Sequence, residues 1–133
     1  MEIAQTIMMV LLKGFSKQHT VTSLASKLKM SRVGMWKVLK RMETEKYINL
    51  APVGSGATST YIIHLNWGNF LIEKSLALSL AEETSTQRRW RANFAELENK
   101  VDFLILFGSI LHSPKTAGDI DLLGVISSKK NFH

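Results

Sequence analysis

Residues Thr20 to Met42 read TVTSLASKLKMSRVGMWKVLKRM, and the spacing of apolar residues within them decides how the rest of the chain is read. Leu24, Ala25 and Leu28 make one apolar stripe on a short first helix, with Thr22 placed to cap its start. Lys29-Met30-Ser31 forms a turn. Ser31 then opens a second helix in which Met35, Val38, Leu39 and Met42 recur at i, i+3, i+4 and i+7, a stripe that must face a core. The other side of that helix is left with Arg32, Val33, Trp36, Lys37, Lys40 and Arg41, cationic with an aromatic among the charges.

Two short helices joined by a tight turn are a helix-turn-helix. A cationic second helix of this length fits the major groove of DNA, its early residues at base edges and its later ones at phosphates. Charge distribution points the same way. The chain has 133 residues and a formal charge of +6, and the whole excess lies in residues 1–66, where nine Lys/Arg face Glu2, Glu43 and Glu45. Residues 67–133 balance eight basic groups with eight acidic ones. A one-sided excess is the electrostatic footprint expected of a phosphate-binding surface.

Outward from the helix pair, residues 2–15 read as a preceding helix with Ile3, Ile7, Val10 and Leu11 inward and Gly14 near its end. His19 reads as an exposed loop residue. After Met42 the pattern switches to period two. Residues 47–53 and 60–65 make a hairpin, with Pro52 confining its strand to an edge and Gly54-Ser55-Gly56-Ala57-Thr58-Ser59 as a small tip able to approach a DNA backbone. His64 points away from the Tyr61, Ile63, Leu65 face.

Residues 1–66 resemble the winged helix-turn-helix domain of prokaryotic transcription regulators, through TVTSLASKLKMSRVGMWKVLKRMETEKYINL and the glycine-rich wing. The resemblance implies double-stranded DNA as partner. Its contacts would be Ser31, Arg32, Val33, Trp36, Lys37, Lys40 and Arg41 on the second helix with Ser55 and Thr58 on the wing, and no cofactor is required. Two departures stand out. Lys29 occupies a turn position where relatives often place Gly, which predicts a looser turn, and Gly34 inside the second helix costs about 1 kcal/mol relative to Ala.

Residues 67–100 read as a helical connector interrupted at 83–86. Phe70, Leu71, Ile72, Leu76, Leu78 and Leu80 spread over more than one face of its first half, so it bridges domains or makes a homodimer contact. Trp90, Phe94, Leu97 and Val101 form a single stripe on its second half, flanked by Arg88, Arg89 and Arg91. Residues 101–107 then read as an apolar strand covered on both faces. It runs into Gly108-Ser109, and a second strand follows with Asp119 and Asp121 at i and i+2, on one face.

Carboxylates so placed are suited to Mg²⁺ held together with substrate phosphates, and a Gly-Ser turn can offer backbone N–H groups to the same phosphates. The segment FGSILHSPKTAGDIDLLGVIS resembles the minimal nucleotidyltransferase family, whose mark is a Gly-Ser turn followed by Asp-x-Asp on a strand. By that resemblance Gly108 and Ser109 would hold an NTP, and Asp119 and Asp121 would hold Mg²⁺. Relatives carry a basic residue and Gly soon after the turn, where this chain has Leu111, His112 and Ser113. They also take a third carboxylate from a later strand, and none follows before His133. The implied piece, 101–133, is therefore incomplete and not expected to be an active enzyme, and no residue is assigned a catalytic role. The alternative is a metal-dependent nucleotidyltransferase carrying a winged helix.

The expected class is α+β: a winged helix-turn-helix domain (1–66), a helical connector (67–100) and a partial nucleotidyltransferase-like segment (101–133). The composition is globular, with 45% apolar and 21% charged residues. No cysteine is present, which excludes disulfide frameworks and thiolate metal sites and is compatible with a cytoplasmic protein. The apolar run from Ile7 to Leu12 is too short to cross a membrane and lacks the flanks of a signal peptide.

Overall fold

A computed structural model of the chain describes residues 2–56, 60–86 and 88–127. The fold divides into two compact units, Met1–Glu83 and Thr84–His133.

The first unit opens with α1 (Ile3–Lys13), ended by Gly14, whose N–H donates to the Val10 carbonyl at 3.0 Å. Ala4, Ile7, Met8, Met9 and Leu11 are all buried. These positions cover more than half of the helix circumference, so α1 is wrapped rather than laid on one surface. His19, expected to be exposed, is only 7% exposed: Nε2 lies 3.1 Å from the Gly14 carbonyl, and the His19 carbonyl accepts from Ile63 N–H at 2.9 Å. The loop after α1 is thereby pinned at both ends of this residue. A Cβ on Gly14 would lie 2.6 Å from His19 Nε2, so glycine is what admits the imidazole.

α2 (Val21–Lys27) is capped by Thr20, not by Thr22, which lies within the helix. Thr20 Oγ1 accepts from Ser23 N–H at 3.2 Å while Ser23 Oγ accepts from Thr20 N–H at 2.8 Å. This is a capping box with serine in the place usually taken by Glu or Gln. At the other end Lys29 takes φ 54°, with Met30 N–H donating to Ala25 O at 2.9 Å and Lys29 N–H to Ser26 O at 3.3 Å. The paired bonds are a Schellman stop. The turn is therefore tight despite having lysine where glycine would be unstrained, which corrects the looser turn expected from the sequence.

α3 (Arg32–Thr44) starts at Ser31, whose Oγ accepts from Gly34 N–H at 3.0 Å. A Cβ on Gly34 would lie 3.0 Å from that same hydroxyl, so the glycine leaves room for the cap. Met35, Leu39 and Met42 have no exposed surface, and Val38 is half-buried beside them. α3 repeats the ending of α2: Lys46 has φ 62°, Tyr47 N–H reaches Met42 O at 2.8 Å, and Lys46 N–H reaches Glu43 O at 3.0 Å.

Strand β1 (Ile48–Val53) pairs antiparallel with β2 (Thr60–Leu65), in register from Ile48↔Leu65 to Val53↔Thr60. Thr20 bridges to Ile62 on the far side of β2, which leaves β1, with its Pro52, at the edge. Asn66 and Asn69 both donate from Nδ2 to the Lys46 carbonyl, at 2.9 and 3.2 Å, and Asn69 Oδ1 accepts from Leu71 N–H at 3.1 Å. The same asparagines thus close the end of α3 and open α4 (Phe70–Ser85). α4 buries Ile72, Leu76 and Ser79, and Ser79 Oγ accepts from Gln5 on α1 at 2.5 Å. Lys13 and Glu83 add an ion pair at 2.6 Å. With Ile72 and Leu76 in the same core cluster as Ile7, Leu24, Leu39 and Ile63, α4 is what covers the second face of α1.

The second unit holds α5 (Arg88–Glu98), β3 (Phe103–Phe107) and β4 (Asp121–Val125). Trp90 and Phe94 stack one turn apart, ring centres 6.2 Å apart at 7°. β3 and β4 pair antiparallel from Phe103↔Val125 to Phe107↔Asp121, joined through a 3-10 turn at Ser109–Leu111. β3 packs against α5 with Leu104 and Leu106 half-buried, whereas Phe103, Ile105 and Phe107 are exposed. One helix can cover only one face of a two-stranded ribbon, so the expectation of a strand covered on both faces is not met. The open end of the ribbon is fastened by Asp102. Its carboxylate accepts from Ser127 N–H at 2.5 Å and Ser127 Oγ at 2.7 Å, bonds that hold its pKa below the ordinary aspartate value. Among the described residues no helix is long and apolar enough to cross a membrane.

Candidate nucleic-acid interface

The side of α3 opposite Met35, Leu39 and Met42 carries Arg32, Val33, Trp36, Lys37 and Lys40, all within about half of the helix circumference at 100° per residue. Arg32, Lys37 and Lys40 are exposed, and Val33 keeps 67% of its surface. Trp36 is half-buried because its ring packs on Tyr61 of β2, with centres 5.1 Å apart at 38°. The wing strand therefore braces the middle of the helix. Lys40 Nζ lies 5.1 Å from the centre of the Trp36 ring, within cation–π range, and 2.9 Å from the Glu43 carboxylate. The hydrogen bond to Glu43 raises the Lys40 pKa, and attraction to Glu43 and Tyr61 adds to it.

The cations are not equivalent. Arg41 sits on the flank of the face, 3.7 Å from Glu2 and 3.9 Å from Glu45. Lys40 has Glu43. Arg32 and Lys37 form no ion pair among the described residues, so an anionic partner would meet them without first breaking one. Ser31 is exposed but uses its oxygen as the cap of α3. On the wing Ser55 is exposed, and Gly54 and Gly56 take φ 89° and 70°, backbone that favours glycine. Thr58 lies outside the described residues. Lys29 and Lys46, at the left-handed ends of α2 and α3, are two further exposed cations that the stripe pattern did not single out.

The other candidate residues fall in the second unit. Gly108 has φ 85°, and Asp121 lies directly against it: a Cβ on Gly108 would overlap the Asp121 carboxylate. The ribbon thus brings the Gly-Ser turn to the first residue of β4. Asp119, expected to share a strand face with Asp121, precedes β4 and is exposed. Strand period therefore does not relate the two carboxylates. Among the described residues no three His, Cys, Asp or Glu side chains are grouped as metal ligands.

No family model and no curated protein matches the sequence. Solved structures do match. The heme sensor protein PefR from Streptococcus agalactiae in complex with heme superposes with a TM-score of 0.51 at 21% identity, over 64% of this chain and 58% of that one. PefR with heme and carbon monoxide gives 0.50 at 18%, over 71% and 70%. Lactococcus lactis ZitR, a zinc-responsive MarR family member, gives 0.48 at 20%, over 71% and 63%. The chain spans 58% of the length of the heme-bound PefR chain, so the likeness is partial on both sides. At this identity the PefR match speaks for the fold alone, which is α+β with a helix-turn-helix followed by a two-stranded wing.

Proposed function

We propose that this chain is a double-stranded DNA-binding transcription regulator that inserts α3 into the major groove and lays the β1–β2 wing along the backbone. The observation that carries the reading is the outward face of α3, where Arg32 and Lys37 form no ion pair among the described residues and stand beside a tryptophan packed on the wing. The winged-helix fold supports it, as does the confinement of the net +6 charge to residues 1–66. Ser31, Val33, Trp36, Lys40, Arg41, Ser55 and Thr58 complete the contact set. Binding requires no cofactor, and the protein works in the cytoplasm as a homodimer joined through the exposed side of α4. The test is fluorescence anisotropy on a duplex across a salt series. Log affinity should fall linearly with log salt at about 0.9 per phosphate contact. Arg32→Ala/Lys37→Ala should weaken binding, and loss of the Lys37 phosphate contact should flatten the slope by about one contact's worth. Salt-independent binding, or an unchanged slope in the double variant, rejects the reading.

A second reading, nucleotide binding in the second unit, is favoured by the seat of Asp121 against the left-handed Gly108. That corner resembles the start of a phosphate-binding turn, and NTP with Mg²⁺ would be its ligand. The donor set falls short of a two-metal centre, because Asp119 lies off the strand and no third carboxylate is grouped with the pair among the described residues. No transfer chemistry is assigned to it. Calorimetric titration with Mg·ATP should give heat in the native chain and none in Asp121→Ala; absence of heat in both removes this reading.

A further inference from the structure

We infer that α3 identifies its DNA site chiefly through thymine methyl groups, met by Val33 with the edge of Trp36 beside it, and that hydrogen-bonded base readout is confined to Arg32. The inference rests on the DNA-binding reading above and specifies what that surface recognises.

The first turn of the second helix in a helix-turn-helix is the part that reaches base edges. Here that turn offers Arg32 and Val33. Val33 keeps 67% of its surface on a helix whose other large aliphatic residues are packed, and it is β-branched, so its methyl groups are held rigidly outward. Trp36 lies one turn further on, its ring fixed between Tyr61 and Lys40. Residues three apart on a helix are neighbours, so the two make one apolar surface in the middle of the cationic face.

What α3 lacks is equally informative. Adenine is read by paired hydrogen bonds from Asn or Gln and cytosine by Asp or Glu. The sequence RVGMWKVLKRMET holds no Asn, Gln or Asp, and its one extended carboxylate, Glu43, lies in the last turn bound to Lys40 at 2.9 Å. Arg32 is the one forked donor at the helix start, suited to guanine. The apolar feature that the major groove offers is the C5-methyl of thymine, and water expelled between it and Val33 is the source of preference.

The experiment uses the full chain and a duplex enriched by it from a random-sequence library. Thymines in the enriched segment are replaced one at a time by deoxyuridine, which removes the methyl and leaves base pairing and phosphates unchanged. Loss of one buried methyl should weaken binding about three- to fourfold at the contacted position. In Val33→Ala that uracil penalty should shrink, because alanine and the Trp36 edge keep only part of the contact, whereas Lys37→Ala should weaken thymine and uracil duplexes alike and keep the full penalty. Val33 is exposed, so the variant retains the fold. Equal affinity for thymine and uracil duplexes, or a penalty of the same size in Val33→Ala, overturns the inference while leaving DNA binding intact. Failure to enrich or bind any duplex overturns both.

Discussion

Lys29 and Lys46 are the two non-glycine residues with positive φ among the described residues, at 54° and 62°, and each occupies the position just past the end of a helix. A left-handed conformation costs an L-residue roughly 1–2 kcal/mol, which glycine avoids. Lys29→Gly should therefore raise stability by about 0.5–1 kcal/mol, because glycine's greater entropy in the unfolded chain takes back part of the gain. Urea denaturation checks it, and a destabilised variant would show that the lysine side chain contributes more than its strain costs. Gly14 presents the opposite case, since its φ of −107° is ordinary and the constraint is space. With His19 Nε2 only 2.6 Å from the position of a Cβ, Gly14→Ala must displace the imidazole and its bond to the Gly14 carbonyl. A loss of about 1–3 kcal/mol is expected, the usual range for forcing atoms into a filled site. A variant as stable as the parent would mean that His19 swings away without penalty.

At the scale of elements, Asp102 ties the ends of the β3–β4 ribbon through two bonds from Ser127, and both favour its ionised form. Its folded pKa lies below the ordinary value of 3.8, so protonation is resisted more in the folded ribbon than in the unfolded chain. The resulting stability is fully present above pH 3.8 and is lost as the pH falls through the lowered folded value. Asp102→Asn should be less stable than the parent at neutral pH, with the difference shrinking in acid. Fluorescence against denaturant at several pH values measures it in a Trp36→Phe/Trp67→Phe background that leaves Trp90 as the emitter, and a pH-independent difference would assign the effect to packing. The elements themselves were legible to different degrees for physical reasons. The α3 stripe was plain because local period alone determines which side of a helix is buried. The α2 cap was not, because Thr20 and Thr22 are equally good cap residues and the choice depends on Ser23 completing the box. His19 read as exposed because what holds it is tertiary: its ring seats against Gly14, and its carbonyl accepts from Ile63 N–H, far along the chain. Phe103, Ile105 and Phe107 read as covered because apolar composition reports what a strand is able to bury, and only a second layer decides whether it does so. On the interface, the charges of α3 could be read directly, whereas the pairing of Lys40 and Arg41 with nearby acids depends on side-chain geometry that no pattern encodes.

For the molecule as a whole, α4 links the core to the question of assembly. Ile72, Leu76 and Ser79 face α1, leaving Phe70 at 70%, Leu71 at 51% and Leu78 at 59% exposed on the other side. A run of large apolar residues along one exposed helix face is more than the scattered exposure expected of a monomer surface. A two-fold contact through this face would bury those residues against their own copies, as isologous dimers do. It would also present two α3 helices for successive major-groove segments, about 34 Å apart, on a palindromic site. Sedimentation equilibrium at tens of micromolar should then give the dimer mass for the native chain. Leu71→Glu/Leu78→Glu should sediment as a monomer with an unchanged far-ultraviolet spectrum, because both residues lie outside the core and their replacement places like charges across the two-fold axis. DNA affinity should fall with it, since a monomer holds one half-site and forgoes the second set of phosphate contacts, which would also reduce the salt dependence by about half. A native chain that sediments as a monomer, or a double variant that remains dimeric, would move the subunit contact off α4.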